Sequence, residues 1–321
     1  MPSTINSTIM GKAYEYASVI ALIEIVEPIR PIEVVENSSL VIARNRYLND
    51  ITESQRSDML TSAKAGINTI IKMEPKIIED GIDTITVSIQ SDDVAKLGDV
   101  RDVLIIRRDI KWEIGVSVKH NHEALKHSRL STKLDFGKSW YGIPSSKQYF
   151  DEISLIFAEL QTLKVKGVKW SELPSKEQSV YVPILNAFMG ELQRTFDANG
   201  DDVTAGLIKY LLGSNGNDFY KLIHYNNHTT RVIPFNLYGT LNQSSSVKDP
   251  DNLIPDMELP TRIIELALKD SSRTTVHLTM NNGWAISFRI HNASTIVEPS
   301  LKFDIKLIGQ PSSLFFVDVS W

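Results

Sequence analysis

Asp102, Ser117 and Lys119 are the residues whose types and spacing could do chemistry, provided that one β-hairpin brings them together. Ser117 and Lys119 are two residues apart, so in a strand their side chains point to the same face. A carboxylate is a ligand that Mg²⁺ prefers, and an ammonium stabilises negative charge that builds up on a substrate. An ordinary ion pair at a strand end is the alternative. The residue pattern alone does not decide between the two.

A β-hairpin is predicted to position these residues. Two runs rich in β-branched residues, Val103 to Arg107 and Trp112 to Val118, flank a short polar break, which is a hairpin signal. If residues 109–110 form a two-residue turn, Asp102 lies opposite Ser117. Opposed residues of an antiparallel pair share a face, with Cα atoms roughly 4.5 to 5.5 Å apart. The carboxylate and the ammonium then converge at the open end of the hairpin.

Glu15 is a further candidate because a helix is predicted to turn it inward. Residues 11–27 form a strongly apolar segment that ends before a proline, as expected for a buried helix. Glu15 shares its stripe with apolar residues at helical spacing, whereas Glu24 lies on the opposite side and is predicted to be solvated. An inward glutamate is costly to bury without a partner or a metal. The alternative is a frayed first turn that leaves the Glu15 carboxylate in water.

Composition limits the class of protein. With 321 residues, 42% hydrophobic and 23% charged, the chain fits a globular protein of one large domain or two. It contains no cysteine, which excludes disulfides and cysteine-built zinc or iron–sulfur sites. No apolar run reaches the length of a membrane span, and the N-terminus lacks the pattern of a signal peptide. We therefore expect a cytoplasmic protein.

The charge is unevenly distributed along the chain. The formal net charge of −5 argues mildly against a protein that is coated in nucleic acid, although a local basic channel can still bind DNA. Between Arg101 and Lys138 there are nine Lys and Arg against five Asp and Glu. The basic charge is therefore concentrated next to the predicted hairpin.

The order of predicted elements indicates a mixed α/β fold rather than a regular alternation of strands and helices. Residues 1–140 hold the hairpin and the first helices, residues 141–241 are mainly helical, residues 242–258 are a linker or long loop, and residues 259–321 are rich in strands. Besides the first helix and the hairpin, we predict helices at residues 52–78, 122–130, 145–164, 175–196 and 203–212, and strands at residues 83–90, 262–268, 274–280, 284–290 and 301–308. Asn282-Gly283 is a strong two-residue hairpin turn.

The candidate residues resemble the active site of the PD-(D/E)xK nuclease superfamily. The resemblance rests on Asp102, on Ser117 and Lys119, and on Glu15 in a Gly-x-x-x-Glu setting. It implies that Asp102 and an inward glutamate ligate Mg²⁺ and that Lys119 lies beside the attacking water. Ser117 departs from the pattern, which usually has Asp or Glu there. Glu15 is the first choice for the missing carboxylate, and Glu113 and Glu123 are alternatives.

A longer resemblance covers both halves of the chain. Four blocks resemble HaeIII-type type II restriction endonucleases: Gly11 to Ala17, Trp112 to Ser131, Ile208 to Gly216 and Asn281 to Ser294. The resemblance implies a PD-(D/E)xK restriction-endonuclease-like core in residues 1–140, with the β-rich C-terminal part in DNA recognition. It also implies Mg²⁺-dependent cleavage of duplex DNA at GGCC that leaves 5′-phosphates.

Several residues are candidates for contacts with DNA. Lys126 and Arg129, three apart on the predicted short helix, would hold phosphates; a solvated basic face is the alternative. His122 is a further candidate, whereas zinc binding by His122 and His127 would need ligands that the sequence does not show. Base readout is expected from the C-terminal part, where arginine suits guanine. The candidates there are Arg289, Asn292 and Asn282, with Asn281, Trp284 and His291 beside them, and Arg231 and Arg262 are other possibilities.

The resemblance also implies partners and leaves rival functions open. A palindromic DNA site favours a homodimer, although one chain could cut both strands in turn. A cognate methyltransferase would act on the same site without forming a stable complex, in the cytoplasm of a bacterium. The rivals are a PD-(D/E)xK nuclease of other specificity, such as a DNA repair enzyme, and a non-catalytic DNA-binding protein, for which Ser117 is the supporting feature.

Overall fold

The computed structural model describes residues 7–79, 81–91, 99–121, 125–126, 128–213 and 216–321. The helices in these ranges are α1 (Ser7–Val26), α2 (Ser38–Asn49), α3 (Glu53–Met73), α4 (Phe136–Tyr141), α5 (Lys147–Val165), α6 (Val182–Asn199) and α7 (Asp201–Leu212). The strands are β1 (Ile32–Val34), β2 (Ile85–Ile89), β3 (Val103–Arg107), β4 (Trp112–His120), β5 (Arg129–Leu130), β6 (Phe219–Tyr225), β7 (Thr229–Phe235), β8 (Ile263–Leu268), β9 (Thr275–Met280), β10 (Ala285–His291), β11 (Leu301–Gly309) and β12 (Val317–Ser320). The fold is mixed α/β, as predicted.

The chain forms two compact units and passes between them repeatedly. The first unit comprises Met1–Glu123, Ser214–Met257 and Ser313–Trp321, and the second comprises Ala124–Gly213 and Glu258–Ser312. This division by contacts differs from the linear division that we expected at residues 140, 241 and 258. The difference arises because β6, β7 and β12, which lie late in the chain, belong to the unit that holds the hairpin.

The first unit is built on a seven-stranded sheet with the order β1-β2-β3-β4-β6-β7-β12. β1 with β2 and β4 with β6 are parallel pairs, and the other neighbours are antiparallel. Helices α1 and α3 pack on this sheet, and their apolar residues share one core with β2, β3 and β4. The sheet therefore holds the hairpin between two further strands rather than at an edge.

Local signals explain where the helices of this unit begin and end. The Thr52 side chain accepts a hydrogen bond from the Gln55 backbone, and the Gln55 side chain bonds back to the Thr52 N–H. This reciprocal pair is a capping box. α3 ends at Met73, before Pro75, so the predicted helix over residues 52–78 was too long at its C-terminal end. Neither α2 nor the strands β6 and β7 were predicted.

The second unit contains a five-stranded antiparallel sheet with the order β5-β11-β10-β9-β8. Its core is aromatic: the rings of Trp140 and Phe188 contact those of Phe288 and Phe303 from the sheet, and the Phe136 ring packs on Trp140 and Phe188. Ring pairs of this kind contribute beyond the area that they bury. The core joins helices α4 and α6 to the sheet.

The turn between β9 and β10 confirms a prediction. Asn282 and Gly283 have φ values of 57° and 82°, and the Trp284 N–H donates to the Asn281 carbonyl at 3.4 Å across these two residues. Two residues with positive φ between antiparallel strands are typical of a type I′ turn. The predicted helix over residues 122–130 was wrong, since Arg129 and Leu130 form β5 and Lys126 bridges to Ile305 of β11.

The loop of residues 242–258 is anchored to the first unit. Its Ile254 and Met257 side chains are buried, and the Asn242 N–H donates to the buried Glu74 carboxylate at 2.5 Å. The segment is therefore a long loop with anchored ends. Among the described residues, no helix combines the length and the apolar character that a membrane span needs.

Candidate active site

The hairpin has the predicted register. Leu104 pairs with Gly115, and Arg107 pairs with Trp112. The Lys111 N–H donates to the Arg108 carbonyl at 3.1 Å, which closes the turn. Beyond the last paired residues of β3, the Asp102 N–H donates to the Val116 carbonyl at 2.9 Å, and the Ser117 hydroxyl donates to the Asp102 carboxylate at 3.4 Å. Asp102 therefore lies beside Ser117, as the sequence predicted.

Asp102 and Lys119 meet at the open end of the hairpin. One carboxylate oxygen, Oδ2 of Asp102, accepts from Lys119 Nζ at 2.7 Å, from the Val118 N–H at 2.7 Å and from Ser117 Oγ at 3.4 Å. Among the described residues, no hydrogen bond reaches the other oxygen, Oδ1. The Lys119 and Asp102 side chains are 31% and 21% exposed, whereas Ser117 is 1% exposed. The carboxylate is thus fixed on one oxygen and can accept a further ligand on the other.

Glu15 is buried, as its helical stripe predicted. It is 6% exposed, and its Oε2 accepts from Lys12 Nζ at 3.2 Å. Burial and the negative charge of Asp102 raise the pKa of Glu15 to about 7, against the opposing effects of Lys12 and Lys119. Glu24 is exposed and pairs with Lys64. The effect of Asp102 on this pKa means that the two carboxylates act on one another.

The donor set fits a hard divalent cation. The charge of Asp102 helps to raise the pKa of Glu15, so a positive charge near these two carboxylates is favoured, and carboxylate oxygen is the ligand that Mg²⁺ prefers. Within the described ranges, no group of three or more His, Asp or Glu residues could hold a metal ion. A Mg²⁺ ion here would rely on two protein carboxylates and on water, which Mg²⁺ usually retains.

Glu113, a predicted metal ligand, is not brought to Asp102. Its carboxylate accepts from Arg101 Nη1 at 2.8 Å and is 41% exposed. Arg101 is buried and also binds Asp99 through Nε and Nη2, at 2.9 and 2.8 Å. The alternation of side chains along β4 predicted that Glu113 lies on the same face as Ser117. Glu113 is four residues away from Ser117 along the strand, however, and it pairs with Arg101 instead of approaching Asp102.

The sequence did not identify Lys221, which the sheet places beside Ser117. β6 runs parallel to β4, and Lys221 is the register partner of Ser117. Lys221 is 6% exposed. Because β6 is buried on both faces, it lacks the alternation of polar and apolar residues that marks a half-buried strand. The only feature of the sequence that could have indicated this position is a continuous apolar run that contains a single lysine.

The predicted phosphate contacts lie in the second unit. Lys126 Nζ lies 3.7 Å from the centre of the Tyr210 ring and donates to the Tyr210 carbonyl at 3.2 Å. Burial lowers the pKa of Lys126 to about 8. Arg129 is exposed and contacts Glu298 at 3.3 Å. The two residues therefore do not share a helix face. His122, Glu123 and His127 lie outside the described residues.

The predicted base contacts are divided between exposed and structural positions. The Arg289 side chain is 59% exposed beside Asp304, and Arg262 is exposed. Asn292 accepts from the Tyr181 hydroxyl at 3.2 Å, and Asn282 donates to the Leu259 carbonyl at 3.1 Å. The remaining candidates have internal partners: Asn281 binds the Thr261 and Arg262 N–H groups, Trp284 binds the Glu258 carbonyl, His291 contacts the Asn292 carbonyl, and Arg231 binds Asp318.

Comparisons with known proteins identify relatives across nearly the whole chain. A family model described as HaeIII restriction endonuclease matches residues 11–311. The type II restriction enzyme HaeIII of Haemophilus aegyptius is 45% identical over 312 residues, which cover 97% of each chain. No solved structure matches the chain significantly. Glu15, Asp102 and Lys119 all lie within the matched residues.

Proposed function

Because this chain belongs to the HaeIII restriction endonuclease family, we propose that it cleaves double-stranded DNA at GGCC by Mg²⁺-dependent hydrolysis and leaves 5′-phosphates. Membership of the family makes it a type II restriction endonuclease, a site-specific deoxyribonuclease whose substrate is DNA. The GGCC site, the metal and the products are those that the sequence resemblance implies. The observation that carries the proposal is the convergence of Asp102 and Lys119, with Glu15 near enough that the charge of Asp102 raises its pKa.

Asp102 and Glu15 would hold the Mg²⁺ ion. When bound, Mg²⁺ supplies positive charge that polarises the scissile phosphate and favours an ionised water. The Val118 N–H and Ser117 hydroxyl hold Asp102 Oδ2 and leave Oδ1 to face the ion. Burial of Glu15 keeps bulk water from competing for its carboxylate. Both carboxylates are thus oriented before DNA binds.

Lys119 would act next to the attacking water. Its Nζ is held at 2.7 Å from Asp102, so its position is fixed by the same carboxylate that would bind the metal. An ammonium placed where negative charge builds up on phosphorus lowers the barrier, because the charge requires no reorganisation during the reaction. Its partial exposure gives a phosphate access to the ammonium.

The partners follow from the proposed DNA site. GGCC reads the same on both strands, and a two-fold pair of chains would present one active site to each strand. We therefore include a homodimer in the proposal, together with a cognate methyltransferase that modifies GGCC without forming a stable complex. Both enzymes would act in the bacterial cytoplasm.

Two substitutions test the proposed function. Asp102→Ala and Lys119→Ala should abolish cleavage of a plasmid that carries GGCC sites, with DNA binding measured in Ca²⁺ largely retained. Asp109→Ala is the matched control, because Asp109 is exposed in the turn of the same hairpin and should cut like the wild type. Full activity in both test variants would refute the site.

The fragment pattern tests the specificity. Wild-type protein should yield discrete fragments that end within GGCC and carry 5′-phosphates. Discrete fragments at another sequence would refute the proposed GGCC site, and random nicking would indicate a nuclease without that specificity. Binding without cleavage in both Mg²⁺ and Mn²⁺ would contradict the proposed hydrolysis.

A further inference from the structure

We infer that Lys12 limits the metal affinity of the active site by balancing the charge of Glu15, one of the two carboxylates assigned to Mg²⁺. The inference rests on the proposed function and extends it to a residue that the PD-(D/E)xK pattern leaves unspecified. Lys12 makes and breaks no substrate bond. It sets the concentration of divalent cation that the enzyme needs.

The first support is the contact between Lys12 and Glu15. The two residues are three apart on α1, and Lys12 Nζ donates to Glu15 Oε2 at 3.2 Å. Residues at this spacing are neighbours on the surface of a helix. Their side chains are only 18% and 8% exposed, so the pair is better shielded from water than an ordinary surface pair. The positive charge of Lys12 therefore lies directly against a carboxylate that would bind the metal.

The second support is the parallel between this ion pair and the one in the hairpin. Lys119 Nζ donates to one oxygen of Asp102 at 2.7 Å, as Lys12 Nζ does to one oxygen of Glu15. The two ammonium groups thus balance the two carboxylates when both acids are ionised. Shielded carboxylates are costly without such partners. The protein therefore stabilises its own metal ligands before a cation binds.

The third support is the electrostatic effect of Lys12 on Glu15. Burial and the charge of Asp102 raise the pKa of Glu15, whereas Lys12 lowers it by its charge and by its hydrogen bond. Lys119 lowers the same pKa through its charge alone. A positive charge that disfavours a proton on Glu15 also disfavours a divalent cation there. Lys12 thus opposes the ion that its partner would bind.

The repulsion between Lys12 and the metal should outweigh the orienting effect of the hydrogen bond. An ammonium that donates to a carboxylate lies within roughly 7 Å of an ion that the same carboxylate binds. Even at the dielectric constant of water, a unit charge at that distance changes the affinity for a divalent ion about tenfold. Loss of the hydrogen bond frees Glu15 only slightly, because its buried side chain is confined by its neighbours. Removal of the charge should therefore tighten metal binding.

Calorimetric titration with Ca²⁺ tests this inference without DNA or cleavage. It is performed at low ionic strength and well above the Glu15 pKa of about 7, so that the carboxylate is ionised. Lys12→Met, which removes the charge and the hydrogen bond, should bind Ca²⁺ about tenfold more tightly than the wild type. Lys12→Gln, which removes the charge but keeps a hydrogen-bond donor, should bind as tightly as Lys12→Met. Lys12→Arg, which keeps the charge, should match the wild type.

Lys64→Met is the matched control. Lys64 also forms an ion pair with a glutamate of α1, Glu24, but Glu24 is exposed whereas Glu15 is buried. The variant thus removes a lysine–glutamate pair from the same helix and should leave the Ca²⁺ affinity unchanged. An equal gain in affinity in Lys64→Met would show that net charge governs binding, and it would contradict a specific role of Lys12.

Cleavage of a GGCC duplex gives a second measurement. The Mg²⁺ concentration that supports half-maximal single-turnover cleavage should fall in Lys12→Met and in Lys12→Gln, because each removes the charge that opposes the metal. In Lys12→Arg it should stay at the wild-type value. An unchanged or higher Mg²⁺ requirement in both neutral variants would overturn the inference.

Failure of this inference is distinguishable from failure of the proposed function. Asp102→Ala should abolish the binding of Ca²⁺. If it does, and Lys12→Met and Lys12→Gln bind Ca²⁺ no more tightly than the wild type, the role of Lys12 alone is refuted. If Asp102→Ala binds Ca²⁺ as the wild type does, the proposed metal site is refuted, and with it the role of Lys12.

Discussion

Adding a single methyl group at Gly115 should damage the strand that carries the candidate site. A Cβ atom at this position would lie 2.1 Å from Cδ and 2.5 Å from Cγ of Arg101. Arg101 crosses β4 there to reach Glu113, and it also binds Asp99. Since Arg101 is buried, its side chain cannot move aside without losing these partners. We therefore expect Gly115→Ala to displace the Arg101 side chain from its contacts with Asp99 and Glu113.

The expected magnitude has two parts. Overpacking of a filled site costs about 1–3 kcal/mol, and loss of charged hydrogen bonds to the buried Asp99 adds roughly 1–2 kcal/mol. Gly115→Ala should thus lower the free energy of unfolding by about 2–5 kcal/mol. Because Arg101 directly precedes Asp102, displacement of its backbone should also move the carboxylate. A shift of about 1 Å can slow catalysis about 100-fold.

A double-mutant cycle tests this reasoning. Urea unfolding and single-turnover cleavage are measured for Gly115→Ala, Arg101→Ala and the double variant. Removal of the arginine side chain beyond Cβ relieves most of the clash. Gly115→Ala should therefore lower the free energy of unfolding by less in the Arg101→Ala background than in the wild-type background. Equal costs in both backgrounds, or a Gly115→Ala protein with wild-type stability and activity, would refute the proposed clash.

Two further predictions concern carboxylates with raised pKa values. Burial raises the pKa of Glu15 to about 7, so its ionised fraction falls as the pH drops through 7. Calorimetric Ca²⁺ binding should therefore be about tenfold weaker at pH 6 than at pH 8, and Glu15→Gln should remove this dependence; equal wild-type affinities would contradict the assignment. Burial likewise raises the pKa of Glu74 from 4.5 to about 7, so its contribution to stability is complete below pH 4.5 and is lost as the pH rises through 7. The loss corresponds to roughly 3 kcal/mol, and urea unfolding should show Glu74→Gln more stable than wild type at pH 8 but not at pH 5.

Short-range patterns predicted the candidate site well because its geometry is local. The register of the hairpin follows from turn length and a side-chain period of two, which place Asp102 beside Ser117 and Lys119. The inward position of Glu15 follows from helical spacing in an apolar segment. The turn at Asn282-Gly283 follows from the residue types that tolerate positive φ.

Local patterns failed where side chains compete for partners. Glu113 lies on the face that alternation predicts, yet it pairs with Arg101, because Gly115 leaves room for the arginine to cross the strand. Lys126 bridges to β11 and packs on the Tyr210 ring, instead of sharing a helix face with Arg129 as the spacing had predicted. Both outcomes depend on residues that come together only in the folded chain.

The sequence by itself thus determined the hairpin, the inward glutamate, the mixed α/β class and, through long blocks of resemblance, the family. Only the tertiary structure placed β6 beside β4 and so brought Lys221 to Ser117. The two strands lie far apart in the sequence, and they pair because β4 buries apolar surface against α1 and β6 against α3 in one shared core. Neither strand carries a local signal that predicts which strand lies next to it. Periodicity therefore determined which face each side chain occupies, whereas burial against distant segments determined which charges share that face.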